Sequence, residues 1–99
     1  MKKIDIKTIT SISNLFKVIS DPTRIKILYV LKDTKLNVTT ISELIGVTQS
    51  AVSHQLRVLR VANLVTKDKK GKEVIYSLYD KHVYDIFETA IIHVNEEKN

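Results

Sequence analysis

The segment Thr40-Ile41-Ser42-Glu43-Leu44-Ile45-Gly46-Val47-Thr48 constrains this chain more than any other, because it stops one helix and starts the next within a few residues. Thr40 and Glu43 have the spacing of a capping box, in which each side chain satisfies an otherwise unpaired amide at a helix N-terminus. Gly46 supplies the left-handed residue that ends such a helix, and Thr48 is a fresh N-cap. From Gln49 to about Asn63 the pattern is helical again, with Val52, Leu56 and Leu59 facing inward. Two helices joined by a short turn containing glycine form a helix-turn-helix.

The flanking elements follow from periodicity. Ile9, Ile12, Phe16 and Ile19 recur at helical spacing, with Leu15 beside Phe16, and mark a first amphipathic helix ending near Ser20. Asp21-Pro22 opens a second, with Asp21 as N-cap and Pro22 at the first helical position. Its core stripe reads Ile25, Leu28 and Leu31, flanked by Ile27 and Tyr29, and Lys32 to Asn37 is a polar connection. Leu64-Val65-Thr66 and Val74-Ile75-Tyr76-Ser77-Leu78 have strand composition and bracket a basic hairpin tip, Lys67 to Glu73. Asp80 caps a last helix whose apolar stripe is Val83, Ile86, Phe87, Ala90, Ile91 and Val94. The predicted order is α-α-α-α-β-β-α, mainly α with a small β-hairpin, as one domain over residues 1–99. No stretch is apolar enough to span a bilayer, and Met1-Lys2-Lys3-Ile4-Asp5 is not followed by a signal-peptide core, so the expected location is cytoplasmic. With no cysteine, disulfides, thiolate ligands and cysteine nucleophiles are excluded.

Sixteen Lys and Arg against eleven Asp and Glu give a formal charge of +5, which suits a polyanionic partner without proving one. The first turns of the second helix of such a motif meet base edges in duplex DNA. Thr48 caps that helix here, and its outward residues are Gln49, Ser50, Ser53, His54 and Arg57. A glutamine pairs bidentately with adenine, and an arginine reaches guanine or phosphate. The hairpin adds Lys67, Lys69, Lys70 and Lys72 for phosphates, diluted by Asp68 and Glu73. Taken singly, each feature reads as an ordinary solvated helix or charged turn. Together, a short capped helix, a polar outer face and a basic hairpin favour double-stranded DNA, and they leave His54 a surface or DNA-facing residue with no metal role.

Asp80, His82, His93 and Glu96 form a second constellation, D-x-H-x10-H-x2-E, on the last helix. His82 and His93 fall within about 20° of each other on one face but about 16 Å apart along the axis, against metal–ligand bonds of about 2 Å. One helix therefore cannot close around one ion. Two copies packed antiparallel would bring Asp80 and His82 of one subunit against His93 and Glu96 of the other, twice in a symmetric homodimer. Two imidazoles and two carboxylates suit tetrahedral Zn(II), and Co(II) fits the same set in vitro. The plainer alternative makes the histidines polar rim residues, Asp80 a cap and Glu96 part of a solvated tail. A hydrolytic metalloenzyme is a third possibility, but four protein ligands leave no open position and no separate base is evident, so an enzyme is not expected.

The run Asp21-Pro22-Thr23-Arg24-Ile25-Lys26-Ile27-Leu28, the run Gln49-Ser50-Ala51-Val52-Ser53-His54-Gln55-Leu56 and the final helix together resemble the ArsR/SmtB family of winged-helix repressors. The metal pattern is similar to its zinc-sensing, SmtB- and CzrA-like branch, with Glu96 standing where CzrA-like members have histidine. The resemblance implies a homodimeric winged helix-turn-helix that holds operator DNA when metal-free and releases it when Zn(II) binds. It also implies that His93 relays binding to a backbone carbonyl near Asn63. Thiolate-sensing members carry Leu-Cys-Val-Cys where this chain reads Leu36-Asn37-Val38-Thr39, so that site is not expected. Nickel sensors recruit terminal histidines, whereas this chain ends Glu97-Lys98-Asn99. The competing expectation is a winged-helix DNA-binding regulator without metal sensing.

Overall fold

A computed structural model describes residues 3–96; Met1, Lys2 and the terminal Glu97, Lys98 and Asn99 lie outside the described residues. The elements are α1 (Ile6–Ile19), α2 (Pro22–Val30), α3 (Val38–Ile45), α4 (Gln49–Val61), β1 (Val65–Lys70), β2 (Glu73–Leu78) and α5 (Lys81–Glu96). This is the α-α-α-α-β-β-α order of a winged helix-turn-helix.

Local chemistry sets each helix start. Asp5 accepts the Lys7 amide, Asp21 accepts the Arg24 amide with Pro22 following it, and Thr48 accepts the Ala51 amide. The start of α3 corrects the sequence reading: the N-cap is Asn37, whose Oδ1 accepts the Thr40 amide at 2.8 Å, and Thr40 is already helical. Asparagine and threonine both cap well, and the Thr40–Glu43 pair concealed the earlier signal. Gly46 ends α3 as expected, at φ 70° and ψ 34°, with its amide bonded to the Ser42 carbonyl. The C-terminus of α4 comes slightly before Asn63. Asn63 takes a left-handed φ of 58°, and the Leu64 amide reaches back to the Leu59 carbonyl at 2.9 Å. That six-to-one bond is a Schellman closure with asparagine in the place of glycine.

The core lies where α2, α3 and α4 meet. Ile27, Leu28, Leu31, Ile41, Val52, Leu56 and Leu59 are buried there, joined by Leu64 and Val65 from the wing and Val83 and Phe87 from α5. Val52, Leu56 and Leu59 occupy their expected places. In α2, Leu28 and Leu31 are buried as expected, but Ile27, expected at the flank, is core and Ile25 is turned outward, because the helix packs on both α3 and α4.

β1 and β2 pair antiparallel from Val65↔Leu78 to Lys70↔Glu73. The strands run further than composition suggested, leaving a two-residue turn of Gly71 and Lys72 with Gly71 at φ 64°. Partners of strong strand preference, Val74, Ile75 and Tyr76, carry the lysines into the ladder. Leu36 adds a short third edge by exchanging backbone hydrogen bonds with Tyr76 at 3.0 and 2.7 Å.

Two apolar faces remain uncovered. On α1 only Leu15, Val18 and Ile19 pack on the core, while Ile9, Ile12 and Phe16 are about half exposed. On α5 Val83, Phe87 and Ile91 turn inward, and Ile86, Ile92 and Val94 face out.

Gly46→Ala tests the turn. A Cβ there meets nothing within 4 Å, so the cost comes from the left-handed backbone and not from crowding. The expected loss is about 1 kcal/mol in a urea titration, and an unchanged midpoint would show that the turn tolerates side chains.

Candidate functional site

On α4 the exposed residues Gln49, Ser50, Ser53, His54 and Arg57 fall within an arc of about 140°, and the buried Val52, Leu56 and Leu59 within a separate arc of about 60° centred about 120° away. The helix therefore presents every sequence-predicted base-reading residue on one continuous outer face. The Thr48 hydroxyl accepts the Ala51 amide and keeps its own hydrogen for an anion. Arg60, which the sequence reading passed over, is also exposed and lies in the same arc, a turn beyond Arg57. Its spacing from Arg57 was the available signal.

Register sorts the charges of the wing. Lys67 and Lys69 lie across from Tyr76 and Val74, so these four share one face, whereas Asp68 and Lys70 share the other with Ile75 and Glu73. The acids that dilute the hairpin in sequence are thus segregated from Lys67 and Lys69. Lys72 sits in the turn.

At the start of α5, Asp80 does two things at once. Its Oδ1 accepts the Val83 amide at 3.1 Å, and its Oδ2 lies 3.3 Å from His82 Nδ1. His82 is almost fully exposed, with a side-chain exposure of 90%. The contact permits two roles for Asp80: donor of an oxygen to an ion, or acceptor that orients His82 for coordination through Nε2. The structure thus brings Asp80 and His82 together, while His93 and Glu96 stand at the far end of α5. Among the described residues no three His, Asp or Glu side chains converge within one chain. Imidazole and carboxylate are donor types that transition metals such as zinc accept, but Asp80 and His82 alone do not enclose an ion.

A family model described as "Bacterial regulatory protein, arsR family" matches residues 21–67, from the cap of α2 into β1. The chain is 42% identical over 90 residues to the HTH-type transcriptional regulator NmtR of Mycobacterium tuberculosis, covering 91% of this chain and 75% of that one. This chain belongs to the ArsR family. It is accordingly a transcriptional regulator of ArsR/SmtB type and not an enzyme. A transcriptional repressor SmtB homologue of Synechocystis is 36% identical, over 85% of this chain and 64% of its own length. The solution structure of apo-NmtR superposes with a TM-score of 0.82 at 40% identity, covering 97% of this chain and 81% of that one. No helix among the described residues is long and apolar enough to cross a membrane.

Polar ties that the sequence did not reveal hold the elements of this ArsR-family chain in place. Arg24 on α2 donates through Nε to Gln55 Oε1 of α4 at 2.8 Å and through Nη1 to the Val18 carbonyl of α1 at 2.9 Å. Lys32, just past α2, meets Glu88 of α5 at 2.7 Å and Asp33 at 3.0 Å, with its ammonium 5.3 Å from the centre of the Tyr84 ring. Glu88, then Asp33, hold that ammonium charged well above the ordinary lysine range.

The Val83 amide holds the Asp80 carboxyl below its usual range; burial opposes it, and His82 adds further lowering. A carboxylate depressed on folding stabilises above its unfolded pKa, and that stabilisation disappears as pH falls through the folded value. The start of α5 should therefore loosen below about pH 4. Asparagine caps a helix as well without titrating. The melting temperature of the unaltered chain should consequently drop more steeply from pH 5 to 3 than that of Asp80→Asn. Parallel curves would remove Asp80 from the acid response.

Proposed function

We propose that this chain is a homodimeric, cytoplasmic repressor that holds operator DNA through α4 and the wing and releases it on binding Zn(II) between subunits. The observation that carries the reading is the Asp80–His82 pair, exposed beside the outward apolar residues of α5, with His93 and Glu96 at the other end of that helix. Exposed isoleucines and Phe16 along α1, with Ile86, Ile92 and Val94 on α5, are what a second copy would cover. In the antiparallel pairing each site takes Asp80 and His82 from one protomer and a histidine and a glutamate from its partner.

On DNA, Gln49, Ser50, Ser53, His54 and Arg57 of α4 face the major groove, and Thr48, Lys67, Lys69, Lys70 and Lys72 meet phosphates. Two copies must place their α4 helices in successive grooves, about 34 Å apart. Bound zinc would supply a fixed link between the two α5 helices. A ligand shifts such an equilibrium only by favouring one arrangement of the subunits over the other. The domains' spacing, set by α1 and α5, is the property it would bias. Zinc in preference to other ions rests on the two-imidazole, two-carboxylate set.

The second reading, a DNA-binding regulator without metal response, draws on the fact that no three candidate ligands converge among the described residues of one chain. Fluorescence anisotropy separates the two, using an operator selected from a randomised duplex pool. Stoichiometric Zn(II) should weaken binding at least tenfold, about 1.4 kcal/mol. Asp80→Asn should bind the same duplex as the unaltered chain yet lose most of the response, since it keeps the cap and loses the donor. Unchanged affinity on adding zinc would leave only the second reading, and no selectable duplex would remove both.

A further inference from the structure

Glu73 reads in the sequence as an acid that weakens a basic hairpin, but its surroundings give it a different task. Asn37 Nδ2 donates to Glu73 Oε1 at 2.6 Å while Asn37 Oδ1 accepts the Thr40 amide at 2.8 Å. Both bonds require this one orientation of the amide, so the asparagine is fully committed between the first turn of α3 and the outer end of β2. Lys70 lies directly across from Glu73 in the register, yet the carboxylate is turned to Asn37. Next door, Leu36 grips Tyr76 with two backbone bonds. Residues 36 and 37 therefore hold β2 at two points three residues apart, roughly 10 Å along the strand. One point of attachment leaves a pivot; two define a direction.

We propose that Glu73, acting through Asn37, is a positioning residue for DNA binding, fixing the angle of the wing against the helix-turn-helix so that the lysines of the wing reach phosphates while α4 is seated. The proposal rests on the DNA-binding reading above. It separates two opposed effects: removing the charge of an acid from a phosphate-facing hairpin should tighten binding, whereas removing the acceptor that Glu73 offers to Asn37 loosens it.

Four variants separate the two effects, each measured by anisotropy on the selected duplex and by 15N relaxation of the free protein. Glu73→Gln deletes the charge but keeps an acceptor for Asn37, and should bind as tightly as the unaltered chain or more so. Glu73→Ala deletes both and should bind about fivefold more weakly than Glu73→Gln. Asn37→Asp keeps a good helix cap but sets two carboxylates against each other, and should weaken binding by at least as much. Asn37→Asp combined with Glu73→Gln restores a donor–acceptor pair at unchanged net charge, and should return to within about twofold of the unaltered chain, with the double variant tighter than the product of the single effects predicts. In the free protein, order parameters at Lys69 to Lys72 should fall from about 0.85 toward 0.6 in Glu73→Ala and Asn37→Asp and recover in the double variant. The proposal is overturned if Glu73→Ala binds as tightly as Glu73→Gln and the effects of the double variant simply multiply. Should the unaltered chain bind no duplex, the DNA reading fails and the positioning role falls with it; the relaxation data then decide whether the Asn37–Glu73 link orders the wing.

Discussion

Ile41 of α3 and Val52 and Leu56 of α4 are shut away from solvent together, across a turn of only three residues. That contact fixes the roll of α4, because a turn so short has no slack to absorb a change of register. A one-residue slip rotates the faces by about 100°, and in one direction it would put Ser53 and Arg57 where Val52 and Leu56 are buried. Burying each of the apolar residues contributes about 1.5–3 kcal/mol, and burying an unpaired arginine is prohibitive. The outer arc of α4, and every role assigned to it, is thus a consequence of the inner one.

The same core does not determine how α1, α5 and the wing lie against it. Those orientations fall to polar links at the margins: Arg24 to Gln55 and the Val18 carbonyl, Lys32 to Glu88, and Asn37 to Glu73. Each is partly or fully exposed and individually weak beside the apolar core. Their value is geometric. Arg24 joins the end of α1 to the recognition helix, and Lys32 joins the end of α2 to the middle of α5. A movement of α5 is consequently felt at α2 through one ion pair and an aromatic face as well as through Val83 and Phe87.

Much of this was legible in the sequence because it is local or periodic. The glycine turn, the Asp21-Pro22 start, the inward triplet of α4 and the Asp80 cap are each written within a few residues. The misplacements have a common cause. At Asn37 and Thr40 two good caps compete, and the earlier one is held by long-range contacts, Leu36 with Tyr76 and Asn37 with Glu73, that no local pattern announces. In α2, Ile25 and Ile27 are equally apolar, and the neighbours that select Ile27 come from α3 and α4. The long-range ties were invisible for the same reason: nothing near Arg24 announces Gln55, and nothing near Glu73 announces Asn37. The segregation of wing charges required a register that composition cannot supply.

The half-site proposed on α5 also bears on how two copies would pair. Packed parallel, the proposed dimer would set Asp80 against its own image at one end and Glu96 against its own image at the other. Like helix ends would then coincide at both ends, and the two helix dipoles would repel. Packed antiparallel, the Glu96 carboxylate meets the positive N-terminal end of the partner's helix. The two sites are then also equivalent by symmetry, each with one donor set of the same composition. The dipoles of the two helices therefore favour the antiparallel arrangement, the one in which the proposed sites would draw Asp80 and His82 from one copy and His93 and Glu96 from the other.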